Sequence, residues 1–266
     1  MERIHVLGTG NAMVTHCYNT CFYLELDAGG LLVDCGGGNG ILRQLERAGI
    51  DPASVRDIFI SHEHCDHLLG VVWMVRAIAA TMNKGARTEP LTIHCHAGLA
   101  EPIRTFCRCT LQKKLTDLFG QRIFIRPVRD GEERIIAGRR FTFFDIRSTK
   151  APQFGFAASL AAGRLAFMGD EPVNPACEFY AQSARWLLSE AFCLAAEADR
   201  FKPYEKHHST AADAARLAAR LGAERLVLWH TEESDLARRK ARYTAEAGQY
   251  FAGAVYVPDD LDVIDL

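Results

Sequence analysis

The chain has almost no net charge, no close cysteine pair of the C-x-x-C type and no long apolar run, and each lack removes a class of function. Lys and Arg total 31 against 33 Asp and Glu, leaving a formal charge of −2. The whole-molecule field therefore gives no argument for nucleic acid or an anionic membrane as partner. Nine cysteines are an odd number, and the simplest reading is reduced thiols in a cytoplasm. The opening MERIHVLGTG has no charged flank ahead of an apolar core, so it is not expected to act as a signal peptide. No uninterrupted apolar stretch approaches the roughly 20 residues that span a bilayer, and no membrane partner is expected. Low-complexity tracts, linkers and solenoid-period repeats are also missing. Histidine is missing from one long stretch, between His96 and His207.

What is present is the composition of an ordinary globular protein, 48% apolar and 24% charged over 266 residues, enough for one substantial core. Strand patterns come early: IHVLG, CFYLEL and LLVDCG, with turn residues Ala28, Gly29 and Gly30 before the third. Glycines at 36–40 lead into the helical pattern ILRQLERAG, which stops at Gly49. DIFIS reads as a short buried strand and LLGVVWMVRAIAATM as a buried helix. LTIHC, a helical stretch over about 98–119, and RIFIRPV repeat the alternation. Then come three strands in a row, RRFTFFDIRS, FGFAASL and RLAFMG, followed by WLLSEAF. TAADAARLAARLG is an amphipathic helix with Thr210 near its cap, LVLWHT a buried strand, and ESDLARRKARYTAEAGQYF a helix before VYVP and LDVIDL. Strands that run directly into one another argue against a purely parallel sheet. A sandwich of two mixed sheets with helices on both outer faces fits, as a single domain over 1–266.

The stretch DIFISHEHCDHLLG puts His62, His64, Asp66 and His67 into six positions directly after an apolar strand. Two histidines two apart lie on one side of an extended segment and can grip one ion. Asp66 and His67 fall where the chain must turn into the next helix and can face a second ion. A lone histidine would be read as a satisfied polar side chain; a cluster of this density at a strand end reads as a metal site.

S-H-E-H-C-D-H-L-L-G resembles the H-x-H-x-D-H signature of the metallo-β-lactamase superfamily, and the resemblance covers nearly the whole chain. LGTGNA is similar to that superfamily's first strand and turn, and LVDCGGG to the Asp-bearing strand that braces the metal loop. Within the superfamily the likeness is to the ribonuclease Z branch. Asp34, Cys35 and Gly36 match its D-C-G, Glu190, Ala191 and Phe192 resemble its E-A-T-F segment, and His208, Ser209 and Thr210 match its H-S-T. The resemblance implies a four-layer αββα fold of class α/β and a zinc site of one or two ions, with manganese or iron as alternatives. It implies that His62 and His64 hold one ion, that Asp66, His67 and His230 hold the other, and that Asp170 bridges them. It implies further that Asp34 orients the loop from behind, and that His208, rather than its neighbour His207, is the general acid, with Glu190 as its partner. Such a pair of ions makes water nucleophilic near neutrality and offsets charge on an attacked phosphorus or carbonyl group.

The pattern also breaks. The branch places one more metal-ligating histidine six residues before a Gly-Tyr pair; counting back from Gly155 lands on Thr149. Three consequences stand open: a site completed by His62, His64, Asp170 and water; Lys150 placing an ammonium there; or His96 folding in, the least favoured. Two sites of unequal affinity are expected. The tRNA-gripping arm is missing too, because only AASLAAGRLAFM separates Phe156 from Gly169. The basic run at Arg238, Arg239, Lys240 and Arg242 sits on a predicted helix, where a solvated face is the commoner explanation.

The expectation is a hydrolase acting on a small, anionic phosphodiester or phosphate ester. Hydrolysis of a lactone, thioester or amide is the alternative within the class, a non-catalytic metal-containing binding protein the alternative outside it, and di-iron redox chemistry a third option. Nucleic acid is a disfavoured partner, and a homodimer is left open. Cys65 is read as a small packed side chain, and no role is assigned to Cys107 and Cys109.

Overall fold

The structure, a computed structural model, describes residues 2–266. In chain order the first half carries β1 (Arg3–Gly8), β2 (Cys21–Leu26), β3 (Gly29–Val33), α1 (Gly40–Arg47), β4 (Asp57–Phe59), α2 (Cys65–Leu68), α3 (Gly70–Asn83), β5 (Leu91–His96), α4 (Ala100–Thr110), α5 (Lys113–Thr116) and β6 (Ile123–Val128). The second half carries β7 (Glu132–Ile136), β8 (Arg139–Asp145), β9 (Phe154–Leu160), β10 (Gly163–Phe167), α6 (Glu178–Ala181), β11 (Trp186–Glu190), α7 (Ala198–Phe201), α8 (Ala211–Leu221), β12 (Arg225–Trp229), α9 (Leu236–Ala247), β13 (Ala254–Tyr256) and β14 (Val263–Asp265).

Among the described residues these form two seven-stranded sheets, ordered β14-β1-β2-β3-β4-β5-β6 and β13-β12-β11-β10-β9-β8-β7. Each is half antiparallel and half parallel. β3 to β6 run parallel in the first and β10 to β13 in the second, while the hairpins lie in the rest. Helices α1, α3 and α4 pack one outer face and α8 and α9 the other. This is the αββα arrangement of two mixed sheets that the alternation of elements implied.

Between the sheets lies a core rich in rings. Phe22 stacks on Trp229 at 4.8 Å, and Phe59 meets Phe143 at 5.1 Å and Phe156 at 5.7 Å. Such contacts contribute about 0.5–1.5 kcal/mol each beyond their burial. Because they join residues of both sheets, they fix the distance between the two sets of strand ends. The LLGVVWMVRAIAATM segment is apolar enough to pass for a membrane span together with α2. Instead its Val71, Met74, Val75, Ile78, Ala79 and Met82 are buried against the first sheet.

Local chemistry explains the elements nearest the site. Thr210 and Asp213 close a capping box at the start of α8, and Gly222 ends it in a left-handed conformation. The helical stretch expected over 98–119 is broken at 111–112 into α4 and α5. β7 was not recognised in the sequence. It pairs with β8 through a two-residue turn, Ala137–Gly138, with both φ positive, as tight hairpins require.

Candidate metal centre

Open α/β sheets offer their sites at the carboxyl ends of parallel strands, where loops leave the sheet and backbone groups end. Five such ends converge here. Asp34 follows β3, the segment 61–67 follows β4, Asp170 follows β10, Glu190 ends β11 and His230 follows β12. Asp34 and His230 both hold left-handed backbones, φ 56° and 57°. That conformation is costly for residues with a Cβ and is retained only where the surroundings enforce it.

The metal loop is stitched to β3 before any side chain acts. Cys35 N donates to His67 O at 2.9 Å and Gly70 N to Gly36 O at 2.9 Å. Gly70 permits this approach, since a Cβ there would stand 1.9 Å from Cys35 O. Side chains then fix the rings. Asp34 accepts from Ser61 N at 2.8 Å, Ser61 Oγ at 2.7 Å and His67 Nδ1 at 2.7 Å. A carboxylate only accepts, so His67 carries its proton on Nδ1 and turns Nε2 inward. Ser61 Oγ, having donated to Asp34, lies 2.9 Å from His62 Nδ1 and accepts from it, which turns His62 Nε2 inward as well.

Inward-facing atoms gather in two groups. His62 Nε2 and His64 Nδ1 are 2.9 Å apart. His67 Nε2 lies 3.4 Å from His230 Nε2 and 3.3 Å from Asp66 Oδ2. Asp170 Oδ2 sits between the groups, 3.5 Å from His62 Nε2, 3.5 Å from His67 Nε2 and 3.6 Å from His230 Nε2. Donor atoms of His62, His67 and Asp170, and of Asp66, His67 and His230, all fall within 4.8 Å of one another. Imidazole lone pairs facing one another do not satisfy each other, whereas a cation between them does. The donor set therefore fits a divalent metal ion.

Electrostatics keep Asp170, Asp66 and His62 in ligating form, but not His67. Burial opposes ionisation of Asp170, but the facing rings of His62, His67 and His230 outweigh it and hold its pKa well below the carboxylate range. Asp66 is lowered in the same way against burial, by His67 and His230. Burial pushes His62 well below the ordinary imidazole value, with His67 and His64 adding to it. For His67 burial acts downward too, yet Asp66 and Asp34 prevail and its pKa is raised. A proton and a metal ion compete for the same Nε2.

Above these donors opens a cavity of about 660 Å³. His64, Asp66, Asp170, His208 and His230 line it, as does Cys65, which is exposed rather than packed. His208 stacks on Phe192, rings 5.0 Å apart and nearly parallel, and its Nδ1 lies 3.6 Å from Glu190 Oε2. Both atoms are buried without a hydrogen-bond partner, so a closure of a few tenths of an ångström would join them. His207 points elsewhere: it is exposed and its Nδ1 lies 2.6 Å from Thr149 Oγ1. Thr149, at the position where the resemblance asks for a histidine, is thus turned outward, while Lys150 lines the cavity wall. His96 stacks on Phe154 and pairs with Glu63 at 3.4 Å.

Two features escaped the sequence. One is Gln153, buried against Asp170 and His62; the oddity of the neighbouring Thr149 was the available signal. The other is an apolar rim of Met13, Val14, Phe192 and Phe201, with Lys206 Nζ 4.8 Å from the Phe192 ring. The basic run on α9 is only partly a solvated face. Arg239 is buried and bonds Thr9, Thr231, Pro258 O and Asp259, and its three neighbours pair with acids.

A family model described as Beta-lactamase superfamily domain matches residues 30–231. The chain is 27% identical to the ribonuclease Z of Natronomonas pharaonis over 315 aligned residues, covering 99% of this chain and 97% of that protein. It is equally 27% identical to the ribonuclease Z of Methanothermobacter thermautotrophicus, covering 100% and 97%. Among solved structures, the metallo-beta-lactamase fold protein YhfI from Bacillus subtilis superimposes with a TM-score of 0.79 at 18% identity, covering 99% and 98%. Human tRNase Z, short form, gives 0.74 at 22%, again covering 99% and 98%.

Proposed function

Because the chain belongs to the beta-lactamase superfamily, we propose that it is a metal-dependent hydrolase acting on a small phosphodiester or phosphate ester. The observation that carries this reading is the convergence of His62, Asp66, His67, Asp170 and His230 into two overlapping donor groups, with His64 beside His62, at a cavity that His64, Asp66, Asp170 and His230 line. Those six residues would hold the cation, and their nitrogen and carboxylate donors suit zinc, with manganese or iron as substitutes. Bound there, a divalent ion supplies a Lewis acid that makes water nucleophilic near neutrality and offsets charge on the attacked group. Asp66 stays ionised and acts as the catalytic carboxylate at the reacting water. His208, at the cavity wall, gives its proton to the departing oxygen, and Glu190 steadies the imidazolium form before transfer.

Substrate size follows from the walls. A cavity of about 660 Å³ suits a small molecule. The hairpin joining β9 to β10 has only two connecting residues, so it carries no arm for a folded RNA. Lys150 and Lys206 favour an anion, and the rim of Met13, Phe192 and Phe201 favours an apolar or planar group beside it. Both sheets share one core, and the reading takes 1–266 as a single domain.

The test sets a generic phosphodiester beside a lactone panel on zinc-loaded protein. Diester turnover that disappears with chelator supports the proposal. Asp170→Asn should lower it by more than the 10- to 100-fold, roughly, that loss of an outer contact costs a metal site, while the protein stays folded. Lactone turnover alone would point to carbonyl chemistry, and no turnover with either to a binding protein.

A further inference from the structure

We propose that Gln153 is a positioning residue through which the segment 149–153 reaches the site indirectly, by orienting Asp170, where the resemblance had placed a direct histidine contact. The inference rests on the reading that these donors hold a cation.

Gln153 is 1% exposed. Its Nε2 donates to Asp170 Oδ1 and lies 3.0 Å from His62 Nδ1. The backbone pins it there: Ile146 N donates to Gln153 O at 3.0 Å, and Phe154 N to Ser61 O at 3.0 Å. Gly169 makes the room, since a Cβ at that position would stand 3.1 Å from Gln153 Cδ. Asp170 disfavours a reversed amide, even though Nε2 as placed meets the protonated Nδ1 of His62 donor to donor. On reversal Oε1 would face Asp170 Oδ1, acceptor against acceptor. In the orientation observed, Oε1 is buried without a partner, a cost the structure bears in order to present Nε2 to the carboxylate.

A carboxylate turns freely about its last bond, because that torsion has a broad, shallow profile. Holding Oδ1 settles where Oδ2 points, and Oδ2 is the atom equidistant from His62, His67 and His230. Thr149 contributes nothing inward, since it is exposed and bonded to His207. The two groups of donors depend on Asp170 unequally. Asp66, His67 and His230 make three ligands without it, whereas the group that holds His62 has Asp170 as a member together with the shared His67, and His64 lies beside His62. Loss of the clamp therefore falls hardest on the His62–His64 site.

Gln153→Met keeps the length and removes the donor. Metal-stripped full-length wild type and variant are titrated with zinc by calorimetry, and with cobalt to follow the visible spectrum. The wild type is expected to take a tight and a weaker ion, and the variant to lose about 10- to 100-fold at the weaker site, with a changed cobalt spectrum and a native circular dichroism spectrum. If the wild type takes a single ion, the same loss is expected for that ion. If the Met variant does not fold, Gln153→Ala takes its place. Unchanged affinity and spectrum in a folded variant would overturn the role of Gln153 alone. A wild type that binds neither metal would overturn the cation reading beneath it.

Discussion

The two sheets deliver their functional side chains in different ways. After β4 in the first sheet, four donors come from six consecutive residues, and two of the three rings among them are tied down from behind: His67 by Asp34, His62 by Ser61, and Ser61 by Asp34 in turn. The second sheet gives one residue per strand end, Asp170, Glu190 and His230, with His208 from the loop before α8. Its acid–base pair is tied down on one side only: Glu190 Oε1 accepts from Ser209 N at 2.7 Å, while His208 Nδ1 and Glu190 Oε2 face each other at 3.6 Å with no other partner. A cation needs fixed ligands whose geometry is set before it arrives, and the first sheet supplies them. Proton transfer to a leaving group needs a partner that can close on substrate, and apo hydrogen bonds of that kind are often long.

The largest effect that would sharpen this contrast is expected on the loose side. His208→Ala should lower kcat by roughly 10²- to 10⁴-fold for an alkyl phosphodiester, whose leaving oxygen needs a proton. The same variant should turn over a p-nitrophenyl diester at close to the wild-type rate, because that leaving group departs without one. Steady-state kinetics on the two substrates check this, and equal losses on both would remove His208 as the acid. Zinc content should not change, since His208 is not among the clustered donors.

On the braced side the expected effect is smaller in rate and larger in stability. Asp34→Asn is the informative change because asparagine tolerates the φ of 56° at this position, so backbone strain is not added. It removes the charge that His67 Nδ1 and Ser61 face. Zinc affinity should fall by about 10- to 100-fold. The metal-free protein should lose about 3 kcal/mol, the low end for breaking a buried ion pair. Calorimetric zinc titration and chemical denaturation measure the two. A variant with unchanged affinity would mean that the brace is packing alone.

The same division decides how much could be read from the sequence. His62, His64, Asp66 and His67 are adjacent in the chain, and strand chemistry alone gives their grouping. Asp170 and His230 lie more than a hundred residues away, and no spacing rule connects them to the metal loop; only the resemblance to a known family named them. His208 was separable from His207 for the same reason, and the structure shows why the distinction matters, since one lines the cavity and the other bonds Thr149. The sandwich was legible because strands and helices alternate with the right periods. β7 was not, because EERII is short and mostly charged, and only its pairing with β8 makes it a strand. Gln153 was invisible because a glutamine acquires meaning only from what its amide touches. Arg239 misled for a related reason: in a basic run on a helix, sequence does not say which member turns inward.

The smallest predicted effect tests whether the two sides work as one. Glu233 lies beyond His230, in the second half, and its carboxylate accepts from Thr15 N at 2.7 Å, His16 N at 2.7 Å and Cys17 N at 3.3 Å, in the loop after β1. That loop carries Met13 and Val14 to the cavity rim. Partial burial pushes the Glu233 carboxyl up, but the amides of His16 and Thr15 outweigh it and bring its pKa down to about 2. A lowered carboxylate pKa gives a contribution that is complete above the ordinary value of 4.5 and is lost only as pH falls toward 2. The loop should therefore stay clasped from pH 5 to 8, and activity changes in that range should come from other groups. Glu233→Ala should release it at any pH, raising KM roughly threefold to tenfold, about 1 kcal/mol for hydrogen bonds at a partly buried carboxylate, with kcat nearly constant. Hydrogen exchange at residues 15–17 should quicken in the variant and remain slow in the wild type between pH 5 and 8. If exchange quickens while KM stays fixed, the rim does not touch substrate, and the cavity floor alone selects it.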